Sequence, residues 1–373
     1  MAENQIYSIV NSINAQAYGS AAVTVVNEQG LIALGNTVLS SSANTEPFLN
    51  ALVERIGKTI VAYRKYKNMF SDLMRSDMEY GNIVQKITIA MPTAERDESY
   101  NLTDGVAVDM YKVRKPKTTQ KFFTSETPYE YVVTIQRVHL KEAFTGPSAM
   151  EQFINAIFGE LQNAIELSIE NLGRNALNNM LAETSETTRA INLAQLFYDE
   201  TGAEVTAANA KHNADFLRFA VAKIKATSNK MKAMSVLYND GSKPRFTPAE
   251  MQKLFVLADY ETSLETVVQY AAIHDNFVSL ENYKTVPFWQ GAQTPEKIVI
   301  SRASDSKSVT INNIVACLFD RDALGTYKTD EWSATTPVNA AGGYYNVFYH
   351  ERDIWFNDLA ENFVMFYIGT VTK

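Results

Sequence analysis

The pattern of apolar and polar positions predicts one unusually long helix near the middle of the chain. From Met150 onwards, apolar residues recur every three or four positions, and this stripe continues to Leu181. Such spacing places the apolar side chains on one face of an amphipathic helix. Ser148 and Glu151 have the sequence of a capping box and predict where the helix starts. A helix over residues 148–182 would be roughly 50 Å long and would form a spine across the molecule.

Strand-like alternation occurs on both sides of this helix. Residues 83–91 alternate and end at Pro92, and residues 129–137 combine β-branched and aromatic side chains. Both patterns are typical of half-buried strands. Near the C-terminus, nine of the twenty-four residues from 344 to 367 are aromatic, against 11% for the whole chain. Aromatic side chains at this density indicate sheet packing and contact surface rather than chemistry.

The segment from residue 185 to residue 305 predicts a mixed α/β region. Apolar spacing favours a helix from Asn213 to Met231 and another over residues 262–272. The run from Leu254 to Leu257 is apolar throughout, which is typical of a strand covered on both faces. Ile298–Ile300 is expected to pair into the same sheet.

The N-terminal segment is almost free of charge. Residues 1–45 carry only Glu3 and Glu28 as charged side chains, and small polar residues dominate. A segment of this composition lacks the large apolar side chains that would offset the entropy of folding alone. We therefore expect a terminal arm over residues 1–47 that orders against a neighbouring molecule, with a flexible tail as the alternative.

A long hairpin with limbs of opposite charge is predicted to follow the first strand. Residues 95–109 are acidic and residues 112–121 are basic, with turn-forming residues 99–105 between them. A two-stranded ribbon is marginal alone in water, so its limbs must pair with each other or with another subunit. A solvated loop is the alternative interpretation. The charged side chains that would make such contacts are Glu95, Asp97, Glu98, Lys112, Arg114, Lys115, Lys117 and Lys121.

Length and composition indicate a folded protein with more than one core. The chain has 373 residues, is 46% hydrophobic and 20% charged, and carries a net charge of −8. That charge argues against a protein that coats nucleic acid, although it permits one that surrounds it. The N-terminus lacks the features of a signal peptide, and no apolar run reaches membrane-spanning length, so we expect a chain made in the cytoplasm without a membrane partner.

Known catalytic and cofactor-binding motifs are absent from the sequence. The four histidines are widely separated, and a single cysteine leaves no zinc site and no disulfide. No phosphate-binding glycine loop and no serine-hydrolase elbow occurs. Cys317 lies in an apolar run and is expected to be a buried thiol. The acidic triplet around Asp320 and Asp322 suggests either a cation site or ordinary salt bridges. We expect no catalytic, cofactor or metal site.

The order of these elements resembles the major capsid proteins of tailed bacteriophages, which have the Hong Kong 97-type shell fold. The similarity is greatest to the major head proteins of small short-tailed phages of the phi-twenty-nine type and covers most of residues 48–369. The segments that carry the resemblance are Phe48–Gly57, Leu254–Glu265, Leu318–Asp322 and Tyr344–His350.

This resemblance implies an α+β fold with a defined division of the chain. It assigns residues 1–47 to an N-terminal arm, residues 48–85, 126–184 and 306–373 to a peripheral domain that holds the spine helix 148–182, residues 86–125 to an extended β-hairpin loop, and residues 185–305 to an inserted axial α/β domain. In the family the extended loop lies over an adjacent subunit.

The resemblance also implies a structural function. Members of the family close as pentamers and hexamers into an icosahedral shell around packaged double-stranded DNA, with a portal protein at one vertex. Because this sequence begins directly with the arm, a separate scaffolding protein is expected during assembly in the host cytoplasm. A prokaryotic nanocompartment shell, which shares the fold, is the first alternative. An enzyme whose site is built from scattered carboxylates is the second.

Overall fold

A computed structural model describes residues 3–54, 66–75, 83–94, 100–101, 103–107, 111, 113–124, 126–264 and 283–372. Its helices are α1 (Glu3–Tyr18), α2 (Glu28–Val38), α3 (Ser42–Glu54), α4 (Arg137–Ala143), α5 (Pro147–Ile154), α6 (Glu160–Thr184), α7 (Leu193–Thr201), α8 (Ala207–Ala210), α9 (Ala214–Met231) and α10 (Ala258–Ser263). Its strands are β1 (Val84–Ile89), β2 (Thr118–Phe123), β3 (Glu126–Gln136), β4 (Ala190–Asn192), β5 (Gln252–Leu257), β6 (Tyr283–Val286), β7 (Ile298–Ser301), β8 (Ser308–Ile311), β9 (Ile314–Asp320), β10 (Leu324–Thr335), β11 (Tyr344–Asn357) and β12 (Phe363–Tyr367).

The first of two hydrophobic cores surrounds a five-stranded sheet with the order β4-β12-β9-β5-β6. All seven residues of β9 are buried, as expected for a central strand whose apolar run is covered on both faces. Antiparallel pairing joins β9 to both β5 and β12, while β4 and β6 pair in parallel at the edges. Helices α7 and α9 contribute apolar faces to this core. The predicted buried strand at Leu254–Leu257 and the helix ending at Met231 are confirmed.

The second core lies between a three-stranded antiparallel sheet and the N-terminal helices. The sheet has the order β10-β11-β3, and one of its faces carries the buried residues Ile135, Tyr345, Val347 and Tyr349. Buried side chains from α1, α2, α3 and α4 complete this core. The mixture of helices and separate sheets confirms the predicted α+β class.

The long helix runs from Pro147 to Thr184 and connects the two cores. It consists of α5, a π-helical stretch at Asn155–Gly159, and α6, roughly 57 Å in total. Side chains before residue 170 pack in the second core, and those after residue 176 pack in the first. The predicted capping box is wrong. Gly146 is the N-cap, Pro147 is the first helical residue and Ser148 lies inside the helix, so its hydroxyl is not the cap.

The N-terminal segment differs from the arm that its low charge predicted. Helices α1, α2 and α3 bury Ile6, Leu31 and Phe48, respectively, within the second core of the same chain. The helices approach closely, since a Cβ added to Gly35 would lie 2.5 Å from the Cβ of Phe144. Uncharged polar side chains satisfy backbone groups, as where Asn11 accepts from the Val25 amide at 2.6 Å. The low content of charged residues in this segment therefore did not mean that it lacks the apolar residues needed to form a core.

One expectation about the sheets is also wrong, and the predicted division into domains stays a prediction. Strand β7, which contains Ile298–Ile300, pairs with β8 in a separate two-stranded sheet, because β5 already has β6 and β9 as neighbours. Strands β9 and β12 were expected in the peripheral domain from residue 306 onwards. They lie in the five-stranded sheet with β4, β5 and β6, whereas β11 pairs with β3 and β10 pairs with β11. Most of the helix predicted over residues 262–272 lies outside the described residues, because residues 265–282 are not described.

Candidate intersubunit interface

A two-stranded ribbon formed by β1 and β2 lies at the base of the predicted hairpin, much of which lies outside the described residues. The strands pair antiparallel from Val84 opposite Phe123 to Ile89 opposite Thr118, and the Ala90 amide extends the ladder by donating to the Lys117 carbonyl at 2.8 Å. Residues 84–89 and 118–123 therefore pair with each other, and the pairing of the predicted acidic limb stays a prediction. We call β1, β2 and the described residues between them the ribbon.

One face of the ribbon is apolar and points away from the rest of the chain. Burial alternates along β1, with Lys86 and Thr88 turned inward and Ile87 and Ile89 turned outward. The exposed fractions of Ile87 and Ile89 are 56% and 64%, and those of Met91 and Phe122 are similar. Farther along, Tyr100, Val106, Tyr111 and Val113 are also exposed. Exposed apolar side chains concentrated on one element indicate a contact surface.

The opposite face of the ribbon is held to the body of the chain by charges. Asp358, buried to 1% exposure, accepts from Lys86 Nζ at 2.6 Å and from Lys121 Nζ at 2.7 Å. Lys86 Nζ also donates to Glu361 Oε1 at 2.7 Å. We call Lys86, Lys121, Asp358 and Glu361 the root cluster, because they lie where the ribbon leaves the body.

The structure separates the eight charged residues that the sequence singled out. Glu95, Asp97, Glu98 and Lys112 lie outside the described residues, so their contact role stays a prediction. Arg114, Lys115 and Lys117 are exposed in the stretch before β2. Lys121 differs from them, because its ammonium binds Asp358 of its own chain. Sequence reasoning missed the outward apolar face. Its signal was the alternation of residues 83–91, which predicts a strand but not which face the body covers.

A second uncovered surface lies on the three-stranded sheet. The face of this sheet that turns away from α6 carries Val132 and Trp332, each 48% exposed. The ring of His350 stacks on Trp332 with centroids 4.0 Å apart, and Phe348 lies beside it. The patch combines the stiff, large side chains that protein interfaces favour.

The covered face of the same sheet buries a carboxylate, Glu351. Its Oε1 lies 3.1 Å from Lys328 Nζ, while no described residue donates a hydrogen bond to Oε2. Burial raises the pKa of Glu351, Lys328 opposes the shift, and the carboxylates of Glu331 and Glu166 add to it. An ionised Glu351 therefore costs the folded state free energy at neutral pH.

We expect Glu351→Gln to stabilise the fold at neutral and alkaline pH. The pKa of Glu351 is higher in the folded state than in the unfolded state. Its contribution to the free energy of unfolding is therefore fully present below the unfolded-state pKa and is lost as the pH rises through the folded-state pKa. The glutamine copies the uncharged form, and Lys328 retains Glu331 at 2.5 Å. In denaturant titrations of unassembled subunits, the advantage of the variant should be largest near about pH 8 and narrow toward about pH 5. A difference in the free energy of unfolding between variant and wild type that stays constant over this pH range would contradict the raised pKa of Glu351.

The positions that suggested chemistry in the sequence have structural surroundings in the folded chain. No group of three or more His, Cys, Asp or Glu side chains among them could hold a metal ion. Cys317 is fully buried, as predicted, and burial raises the pKa of its thiol well above the ordinary value. Asp320 accepts from Thr247 Oγ1 at 2.7 Å and from the Asp322 amide at 2.8 Å, which accounts for the acidic triplet structurally. No helix in the described ranges is both long and apolar enough to cross a bilayer.

Two cores joined by a long helix, with a ribbon projecting from them, form an architecture that is also found in phage capsid proteins. The capsid structure of Staphylococcus phage Andhra matches with a TM-score of 0.55 over 84% of this chain and 87% of that chain, at 10% identity. At so low an identity the similarity shows the fold alone. The chain belongs to the family described as Phi29-like phage major capsid protein, which it matches over residues 7–367.

Two major capsid proteins are similar in sequence over long stretches. That of Bacillus phage GA-1 is 23% identical over 267 residues, which are 71% of this chain and 52% of that protein. That of Streptococcus phage Cp-1 is 23% identical over 327 residues, 86% of this chain and 82% of that protein. The match thus spans about half the length of the GA-1 protein. The family confirms the predicted class, a structural protein of the phage virion.

Proposed function

We propose that copies of this chain join as pentamers and hexamers into a closed icosahedral head that encloses double-stranded DNA. The observation that carries this proposal is the outward face of the ribbon. Ile87, Ile89 and Phe122 expose apolar area that no described part of the chain covers. A ribbon of two strands needs packing from elsewhere to be stable, and a neighbouring copy would supply it.

The exposed face of the three-stranded sheet is the complementary surface. The ribbon of one copy would pack on Val132, Trp332 and Phe348 of the next, so that two different patches meet. Contacts of this head-to-tail kind generate rings and closed shells rather than isolated dimers. This supports a shell subunit, and the phage family favours a viral head over a nanocompartment.

Charge and chemistry support a container role. A net charge of −8 gives the wall no general affinity for phosphate, and DNA confined inside a shell does not require it. The role proposed is structural and not catalytic. A scaffolding protein during assembly in the host cytoplasm, and a portal protein at one vertex, are the partners proposed with it.

Electron microscopy of the purified full chain, alone and coexpressed with a scaffold from the same genome, tests the proposal. We expect rings or closed shells with fivefold vertices, and sedimentation far faster than that of a 41.7 kDa monomer. A strictly monomeric chain at high concentration under both conditions would contradict it. Closed shells that exclude DNA but contain enzymes would instead favour a compartment.

Charge reversal at the exposed basic stretch tests the predicted intersubunit role of the hairpin. Lys115→Glu with Lys117→Glu should lower the yield of closed particles severalfold, because the basic limb would then repel an acidic neighbour. Particle yield by sedimentation is the measurement. Lys225→Glu with Lys230→Glu is the control, since both lysines are exposed on α9 and the change in net charge is equal. Equal losses from both pairs would show a net-charge effect without a role for the hairpin.

A further inference from the structure

The ribbon and the body of the subunit meet through a small set of opposite charges. Lys86 and Lys121 are direct partners across the β1–β2 ladder, and both ammonium groups reach the buried Asp358. Glu361 takes a second contact from Lys86 and lies 3.3 Å from Arg245 Nε. The ribbon therefore presents a pair of cations to a pair of carboxylates on the turn between β11 and β12.

The arrangement is stable only as a whole. Like charges directly opposite each other in a ladder destabilise the strand pair, so the two lysines need the carboxylates beneath them. Burial alone would lower the pKa of Lys86, but hydrogen bonds to Asp358 and Glu361 raise it. Burial likewise would raise the pKa of Asp358, and hydrogen bonds from Lys121 and Lys86 lower it instead. Lys86 and Asp358 are therefore favoured in their ionised forms, whereas burial raises the pKa of Glu361 despite its contact with Lys86.

Strands β1 and β2 also make a hydrogen bond and an aromatic contact to the body. Lys243 Nζ donates to Thr88 Oγ1 at 2.6 Å, and the ring of Phe123 lies 5.3 Å from that of Phe356. Val84 is also on the inner face of β1, whereas Ile87, Ile89 and Phe122 point away from the body. The direction of the ribbon thus depends on ion pairs more than on apolar packing.

We propose that the root cluster is an electrostatic latch that sets the direction in which the ribbon leaves the subunit and keeps its two strands paired. Loss of the latch frees the ribbon to swing and to fray, since a ribbon of this length is marginal without support. Its importance for assembly rests on the function proposed above, but the latch itself is measurable in an unassembled subunit.

Hydrogen–deuterium exchange of unassembled full-length subunits tests the latch. Lys86→Met with Lys121→Met removes both cations and keeps the aliphatic stems, and Asp358→Asn removes the shared acceptor charge. Each should accelerate exchange in residues 84–89 and 118–123 at least roughly tenfold, as expected for a broken buried pair. Lys115→Met with Lys117→Met is the matched control and should exchange like the wild type. Residues 363–367 serve as an internal reference for the body.

Wild-type exchange in both strands despite loss of the lysines would overturn the proposal. If a substitution also accelerates exchange in residues 363–367, the variant has lost part of its fold. The latch is then tested on the wild-type subunit in increasing salt. Exchange in the two strands should quicken between about 0.05 and about 1 M salt, because screening weakens the half-exposed Lys121 contact, and unchanged exchange contradicts the latch. If exchange behaves as expected but the subunits do not assemble into particles, the result would count against the proposed function and not against the latch.

Discussion

Replacing Arg174 by methionine is expected to lower the free energy of unfolding by about 3–5 kcal/mol, because a buried carboxylate would lose its only charged partner among the described residues. Arg174 Nη2 donates to Glu170 Oε1 at 2.5 Å on the same face of α6, and both side chains are nearly inaccessible. Methionine matches the length of the arginine stem, so the loss isolates the charged head group.

The surroundings of this pair explain the size of the expected effect. The guanidinium of Arg174 also donates to the Phe288 carbonyl at 2.6 Å and lies 4.1 Å from the centre of the Phe288 ring. Glu170 Oε2 accepts from Tyr66 Oη at 2.5 Å and from the Met69 amide at 3.0 Å. The pair therefore holds two distant segments against the long helix. The substitution removes the attachment at Phe288 directly and leaves the charge of Glu170 unbalanced beneath the other segment.

Guanidinium-induced unfolding of unassembled subunits measures the effect. The control is Glu170→Gln, alone and combined with Arg174→Met. The double variant should be more stable than Arg174→Met alone, since it removes the buried charge that the single substitution leaves unpaired. A loss below about 1 kcal/mol for Arg174→Met would show that water reaches the pair and solvates Glu170.

Replacing Ile87 and Ile89 together by threonine is expected to raise the concentration needed for shell assembly roughly 30- to 700-fold. This corresponds to a reduction of about 2–4 kcal/mol per subunit in the free energy of apolar burial at the interface. Threonine keeps the β-branched shape that the strand favours, so the ribbon should stay paired. The measurement is the subunit concentration above which particles appear in sedimentation or light scattering.

The matched control replaces Gln85 and Gln120 by threonine. Both glutamines are exposed on the same face of the ribbon, and the new residue is the same, but little apolar area is removed. Assembly of this control should resemble that of the wild type. If both double variants assemble normally, the outward face does not mediate subunit association.

Local patterns predicted the positions of many elements correctly. The long helix, the strands at Val84–Ile89 and Glu126–Gln136, and the buried strand at Gln252–Leu257 follow from periodicity in consecutive residues. The start of the long helix was predicted incorrectly. Ser148 resembles an N-cap residue, but Gly146 is the N-cap and Pro147 already begins the helix. The N-terminal helices were missed because scarcity of charge was taken for scarcity of apolar packing.

The candidate interface was predicted in outline and not in its chemistry. Opposite charges along residues 95–121 indicated contacts at the hairpin. They did not indicate that β1 turns the apolar side chains of Ile87 and Ile89 away from the body. Lys121 was predicted to contact a neighbouring subunit, and within its own chain it pairs with Asp358, which the sequence did not indicate. The two residues are more than two hundred positions apart, and nothing in the local sequence of either one indicates the other.

Periodicity along the chain predicted the spine helix and the strands of the ribbon, and the resemblance to a known family predicted the class of protein. Other features exist only in the folded molecule: the place of β9 and β12 in the five-stranded sheet, the face of the ribbon that is left open, and the carboxylates that bind its lysines. The cause is the same in each case. Strand register and buried charge pairs arise between segments distant in sequence, where burial and Coulomb attraction act only after the chain has folded.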